Sequence, residues 1–76
     1  MLAFNLMTNK RDVQLGREIQ QARKRVGLTQ EQLADKTGLS LTYIGYLEIG
    51  KKRPSLDTLI KIADILQTKV RDLIPF

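Results

Sequence analysis

Cysteine, histidine and tryptophan are absent from this 76-residue chain. Without cysteine no disulfide framework can support so short a protein, and without histidine the commonest metal ligand is gone. Stability must come from the apolar core. The carboxylates are scattered: Asp57 stands where it complements a helix dipole, and Asp35, Asp64 and Asp72 read as solvated faces. No catalytic constellation can be assembled from them, so neither an enzyme nor a metal or cofactor site is expected. Long apolar runs are missing too. The opening "MLAFNLM" is too short for the core of a signal peptide and nothing basic precedes it. No stretch reaches the ~20 residues of a membrane span. The expectation is a cytoplasmic protein that makes no membrane contact.

What is present points elsewhere. The net charge is +5 and the pI about 9.9, a balance that favours polyanionic partners. Apolar residues make up 42%, enough for one compact core, so a single domain is expected. Residues 1–11 read as a flexible arm, with Leu2, Phe4 and Leu6 available to dock, and residues 12–76 as the folded domain.

One device recurs along the chain. "GLT" at 27–29 and "GLS" at 38–40 each place a glycine to end a helix, a leucine to staple, and a hydroxyl to cap the next helix. Thr29 with Gln32 completes a capping box. Gly50 closes a further helix, and Ser55 opens the one after it. Between these marks the apolar spacing is helical. The first helix, about 12–26, carries Leu15, Ile19, Ala22 and Val26. The second, 29–37, turns Leu33 and Ala34 inward, and the third, 40–49, turns Ile44 and Leu47. The fourth, 55–67, is striped by Leu56, Leu59, Ile60, Ala63 and Leu66. Val70, Leu73 and Ile74 mark a short fifth that Pro75 stops. No run alternates with the period of a strand. The fold class expected is all-α, with five short helices.

The second and third helices are short and joined by Gly-Leu-Ser, a turn tight enough to force a steep crossing, the geometry of a helix-turn-helix. At this point the chain resembles a known family. "LTQEQLADKTGLSLTYIGYLEIGKKRPSLDTLIKIADIL" is similar to the helix-turn-helix domain of phage repressors, Cro proteins and their XRE-type relatives. The resemblance runs from about residue 15 to 73. It implies a lambda-repressor-like domain that binds double-stranded DNA and regulates transcription.

The resemblance also implies individual roles. Gln30 matches the glutamine that meets the DNA backbone, and the N-terminus of a helix suits phosphate. Leu41, Thr42, Tyr43, Gly45 and Tyr46 match positions aimed into the major groove. Lys51, Lys52 and Arg53 match the loop that grips phosphate. Arg23 and Glu48 match an arginine–carboxylate pair linking the first and third helices, which would account for an acid inside a DNA-facing helix. A homodimer on a near-palindromic operator is implied, paired through Leu73, Ile74 and Phe76 at the C-terminal end.

The third helix departs from the family in one respect. Its outer face holds Leu41, Thr42, Gly45, Tyr46 and Ile49, where relatives commonly place Arg, Gln, Asn or Ser. Bidentate readout of guanine or adenine is thus absent, while Leu41 and the Thr42 methyl suit thymine methyl groups. The same apolar face also fits a protein-binding patch, so an adaptor or antitoxin-type component stands as the alternative. Phage switches, restriction–modification controllers and antitoxins all occur at this length. With no effector domain in the sequence, regulation through occupancy, abundance or a separate partner is expected.

Overall fold

A computed structural model describes residues 9–76. Five helices follow in order: α1 (Lys10–Arg25), α2 (Gln30–Thr37), α3 (Leu41–Ile49), α4 (Leu56–Ile65) and α5 (Val70–Leu73). No strand occurs among the described residues. The expected docking of Leu2, Phe4 and Leu6 lies outside them.

The capping chemistry explains the boundaries. The Thr29 hydroxyl accepts from the Gln32 N–H at 3.0 Å, and the Gln32 side chain accepts from the Thr29 N–H at 2.8 Å, closing the capping box. Ser40 and Ser55 accept from the N–H groups of Tyr43 and Thr58 in the same way. Gly27, Gly38 and Gly50 all follow helix ends in the left-handed region. The first helix begins earlier than residue 12, because the Asn9 side chain accepts from the Arg11 N–H at 2.7 Å and caps it. Lys10 and Arg11 are therefore helical and not part of an arm.

The core joins Leu15, Ile19 and Ala22 of α1 to Leu33 and Ala34 of α2, Ile44 and Leu47 of α3, and Leu59, Ile62 and Ala63 of α4, closed by Leu66 and Leu73. Val26, Leu28 and Leu39 pack half-buried against it. The fourth helix corrects the expected stripe. Its inward face is Leu59, Ile62, Ala63 and Leu66, which are spaced i, i+3, i+4 and i+7; Leu56 and Ile60 share a different face and are exposed.

Two features of the backbone were not anticipated. Gly16 sits where α1 crosses α3: a Cβ there would fall on the Leu47 carbonyl oxygen and within 2.7 Å of the Glu48 carbonyl oxygen. Only glycine lets the two helices approach so closely. The other feature is Gln67, which ends α4 in the left-handed conformation with φ 57° and no glycine to ease it. Gln67→Gly is accordingly expected to raise stability by about 0.5–1 kcal/mol, the relief of left-handed strain less the added entropy of glycine. Urea denaturation checks this, and a loss of stability would show that the Gln67 side chain holds the turn.

Candidate nucleic-acid interface

The turn between α2 and α3 is three residues, Gly38 to Ser40. Just before it, the buried Thr37 hydroxyl donates to the Leu33 carbonyl at 2.7 Å, so it is satisfied within α2. α3 is then seated from beneath by Ile44 and Leu47, both sealed in the core, and by its close crossing over Gly16.

Glu48 completes the seat. Its carboxylate is fully buried and accepts from Arg23 Nε at 2.6 Å and Arg23 Nη2 at 3.0 Å. Arg23 Nη1 donates onward to the Leu28 carbonyl at 2.8 Å. A third donor reaches the same carboxylate: Gln30 Nε2, at 3.0 Å from Oε1. The expected Arg23–Glu48 pair is thus a hub that ties α1, α3 and the start of α2 together. Gln30 is half-exposed, so its amide keeps one edge toward solvent while the other is anchored. An open groove of about 650 Å³ runs beside it, bordered by Lys24, Thr29, Gln30, Glu31 and Leu41. Lys24 was not singled out by the sequence pattern; it reaches the groove because α1 ends beside the start of α2. Glu31 lies in the same groove with the opposite sign, which restricts where a phosphate can approach.

The outer face of α3 is open. Leu41 is 47% exposed, Tyr46 37% and Ile49 51%, and Thr42 is exposed between them. Beyond its own helix backbone, no atom of the described residues lies within 4 Å of where a Cβ would stand at Gly45. Tyr43, expected to face the groove, is half-buried and packs in part against the core. Beyond the helix, Lys51 places its ammonium 5.1 Å from the centroid of the Tyr46 ring, and Lys52 is exposed. Arg53 has a partner within its own chain. Its Nε donates to Asp12 Oδ1 at 2.8 Å, joining the loop to α1. That hydrogen bond, and secondarily the Asp12 charge, raise the Arg53 pKa above its ordinary value. Asp12 gave no signal in sequence beyond its place in the first turn of a helix.

The C-terminal residues divide. Leu73 is 2% exposed and belongs to the core of its own chain, so it has no surface to offer a second copy. Ile74 is half-buried against that core. Phe76 is exposed, with the Arg11 guanidinium 5.3 Å from its ring centroid. Leu56, Ile74 and Phe76 border one groove of about 370 Å³, and exposed Ile60 lies one turn along α4 from Leu56.

Two short helices at a three-residue turn, the second presenting an exposed face beside cationic residues, define the helix-turn-helix class of DNA-binding regulators. The helix-turn-helix family model matches residues 19–73, and the chain belongs to that family. It is 35% identical over 71 residues to control protein C.BamHI of Bacillus amyloliquefaciens, covering 92% of this chain and 88% of that one. Among solved structures it is similar to the restriction–modification controller protein C.AhdI of Aeromonas hydrophila, with TM-score 0.77 and 36% identity over 80% of this chain and 92% of the other. It is also similar to SinR of Bacillus subtilis, a master regulator for biofilm formation solved in complex with DNA, with TM-score 0.74 and 32% identity over 78% and 95% of the two chains. Among the described residues no helix is long and apolar enough to cross a membrane.

Proposed function

We propose that the chain is a cytoplasmic transcriptional regulator of the repressor/Cro type that binds a near-palindromic operator as a homodimer. The observation that carries this reading is the anchored Gln30 beside the exposed face of α3, with Lys51 and Lys52 just beyond that helix. In it, α3 enters the major groove, Gln30 donates to phosphate from the positive end of α2, and Lys24, Lys51 and Lys52 neutralise the backbone. Arg53, bound to Asp12, braces the loop.

Three or four phosphates per subunit would make log affinity fall against log salt with a slope of roughly −5 to −7 for the dimer. Lys52→Ala is expected to weaken operator and random DNA alike and to flatten that slope by about two units, one for each subunit. Fluorescence anisotropy across a salt series measures both. A slope near zero overturns the reading and favours the exposed Leu41 and Ile49 as a protein-binding patch.

Pairing rests on Leu56, Ile60 and Phe76, exposed apolar side chains on the α4 and C-terminal side. A two-fold interface there is self-complementary, and in a bound dimer the recognition helices stand about 34 Å apart, one DNA turn. Ile60→Glu is expected to leave the fold intact and yield a monomer, read by light scattering. A wild-type protein that stays monomeric at high micromolar concentration, with and without DNA, removes the dimer from the proposal.

A further inference from the structure

The outer face of α3 has few ways to tell one base pair from another. From Leu41 to Ile49 the only charged residue is Glu48, and its carboxylate is buried and spent on Arg23 and Gln30. No arginine, lysine, asparagine or glutamine side chain projects from this helix, so no bidentate pair to guanine or adenine can form. The Thr42 and Tyr46 hydroxyls both donate and accept, and a group that does both discriminates poorly between donor and acceptor edges.

Apolar contact remains. In the major groove, thymine alone among the four unmodified bases carries an apolar group, the C5-methyl. Leu41 and Thr42 stand in the first turn of α3, the part of a recognition helix that meets base edges. One turn on, no other part of the described residues crowds the absent Cβ of Gly45, so a base edge can approach the helix backbone there. Lys51 over the Tyr46 ring adds charge next to the face, but a charge reads phosphate and not sequence.

We infer that base discrimination by this chain rests on thymine C5-methyl groups, received by Leu41, the Thr42 methyl and the open backbone at Gly45. The inference depends on α3 reading DNA as proposed above. It specifies a half-site in which a thymine methyl faces the first turn of α3. A second consequence follows from the chemistry: 5-methylcytosine presents a methyl at the same place and would satisfy the same contact.

The test begins with selection of a preferred duplex from random DNA by the full chain. Thymines of the selected half-site are then replaced singly by deoxyuridine, which removes the methyl and nothing else. Affinity is expected to fall roughly three- to fivefold for each contacted methyl, as burial of one methyl group implies, with random DNA unaffected. At a sensitive position, a 5-methylcytosine–guanine pair is expected to bind tighter than an unmethylated cytosine–guanine pair. Leu41→Ala, with its fold verified by circular dichroism, is expected to lose part of the preference for thymine over deoxyuridine. If deoxyuridine duplexes bind as well as the selected duplex while that duplex is still preferred over random DNA, the inference is overturned and DNA recognition stands on hydroxyl contacts or shape. If no duplex is preferred over random DNA, sequence-specific recognition fails along with it.

Discussion

Replacing Gly16 with alanine is expected to lower stability by about 2–3 kcal/mol, although alanine is the better helix former. At an unobstructed helical position the same change stabilises by about 1 kcal/mol. At Gly16 the added methyl meets the carbonyl groups of Leu47 and Glu48, which are backbone atoms of α3 and cannot rotate aside. Either α1 and α3 separate, opening gaps around Ile19 and Leu47, or the methyl is accommodated by strain. Gly45→Ala is the matched control: its space is open, and it is expected to gain about 1 kcal/mol. Urea denaturation of the two variants measures both signs. A stable Gly16→Ala protein would mean that the α1–α3 crossing yields more readily than this geometry allows.

The second large effect lies at the hub. Glu48→Leu is expected to reduce stability by about 3–5 kcal/mol, because it leaves the Arg23 guanidinium buried without its carboxylate. Arg23→Met should be similarly damaging, since it strands a carboxylate with no solvent exposure. The double variant is expected to recover much of the loss, because an apolar pair of similar volume avoids desolvating two charges. A double-mutant cycle separates the breaking penalty from the net worth of the pair. Single losses below 1 kcal/mol that simply add would show that Arg23 and Glu48 do not act as one unit. The restored double variant still lacks the acceptor for Gln30, so its DNA affinity is expected to stay low after stability returns.

The helices were legible in sequence because their signals are local. A glycine, a leucine and a capping hydroxyl occupy consecutive positions, and each reports a boundary without reference to anything distant. The α3 face was legible for the same reason: Ile44 and Leu47 turn inward by helical spacing, which leaves Leu41, Thr42, Gly45, Tyr46 and Ile49 outside. What escaped depends on neighbours far along the chain. Gly16 resembles any tolerated helical glycine until α3 is laid across it. Asp12 and Arg53 are 41 residues apart and pair only after folding. Leu73, near the end of the chain, looked uncovered because nothing local shows that α4 and α1 enclose it. In α4 the periodicity itself was ambiguous, since Leu56, Leu59, Ile60, Ile62 and Ala63 can be divided into two helical stripes, and only the partner helices choose between them.

The open face of α3 is separate from everything that holds the fold together. Its side chains at 41, 42 and 49 are exposed, position 45 has room to fill, and the seat beneath is made by Ile44, Leu47 and Glu48. Randomising 41, 42, 45, 46 and 49 together would therefore leave most of the resulting library folded, with proline at any of these positions as the exception. Operator preference can then be selected with little interference from foldability. The same separation leaves natural lineages free to drift from one target sequence to another, one solvent-facing substitution at a time, on a scaffold that barely registers the change.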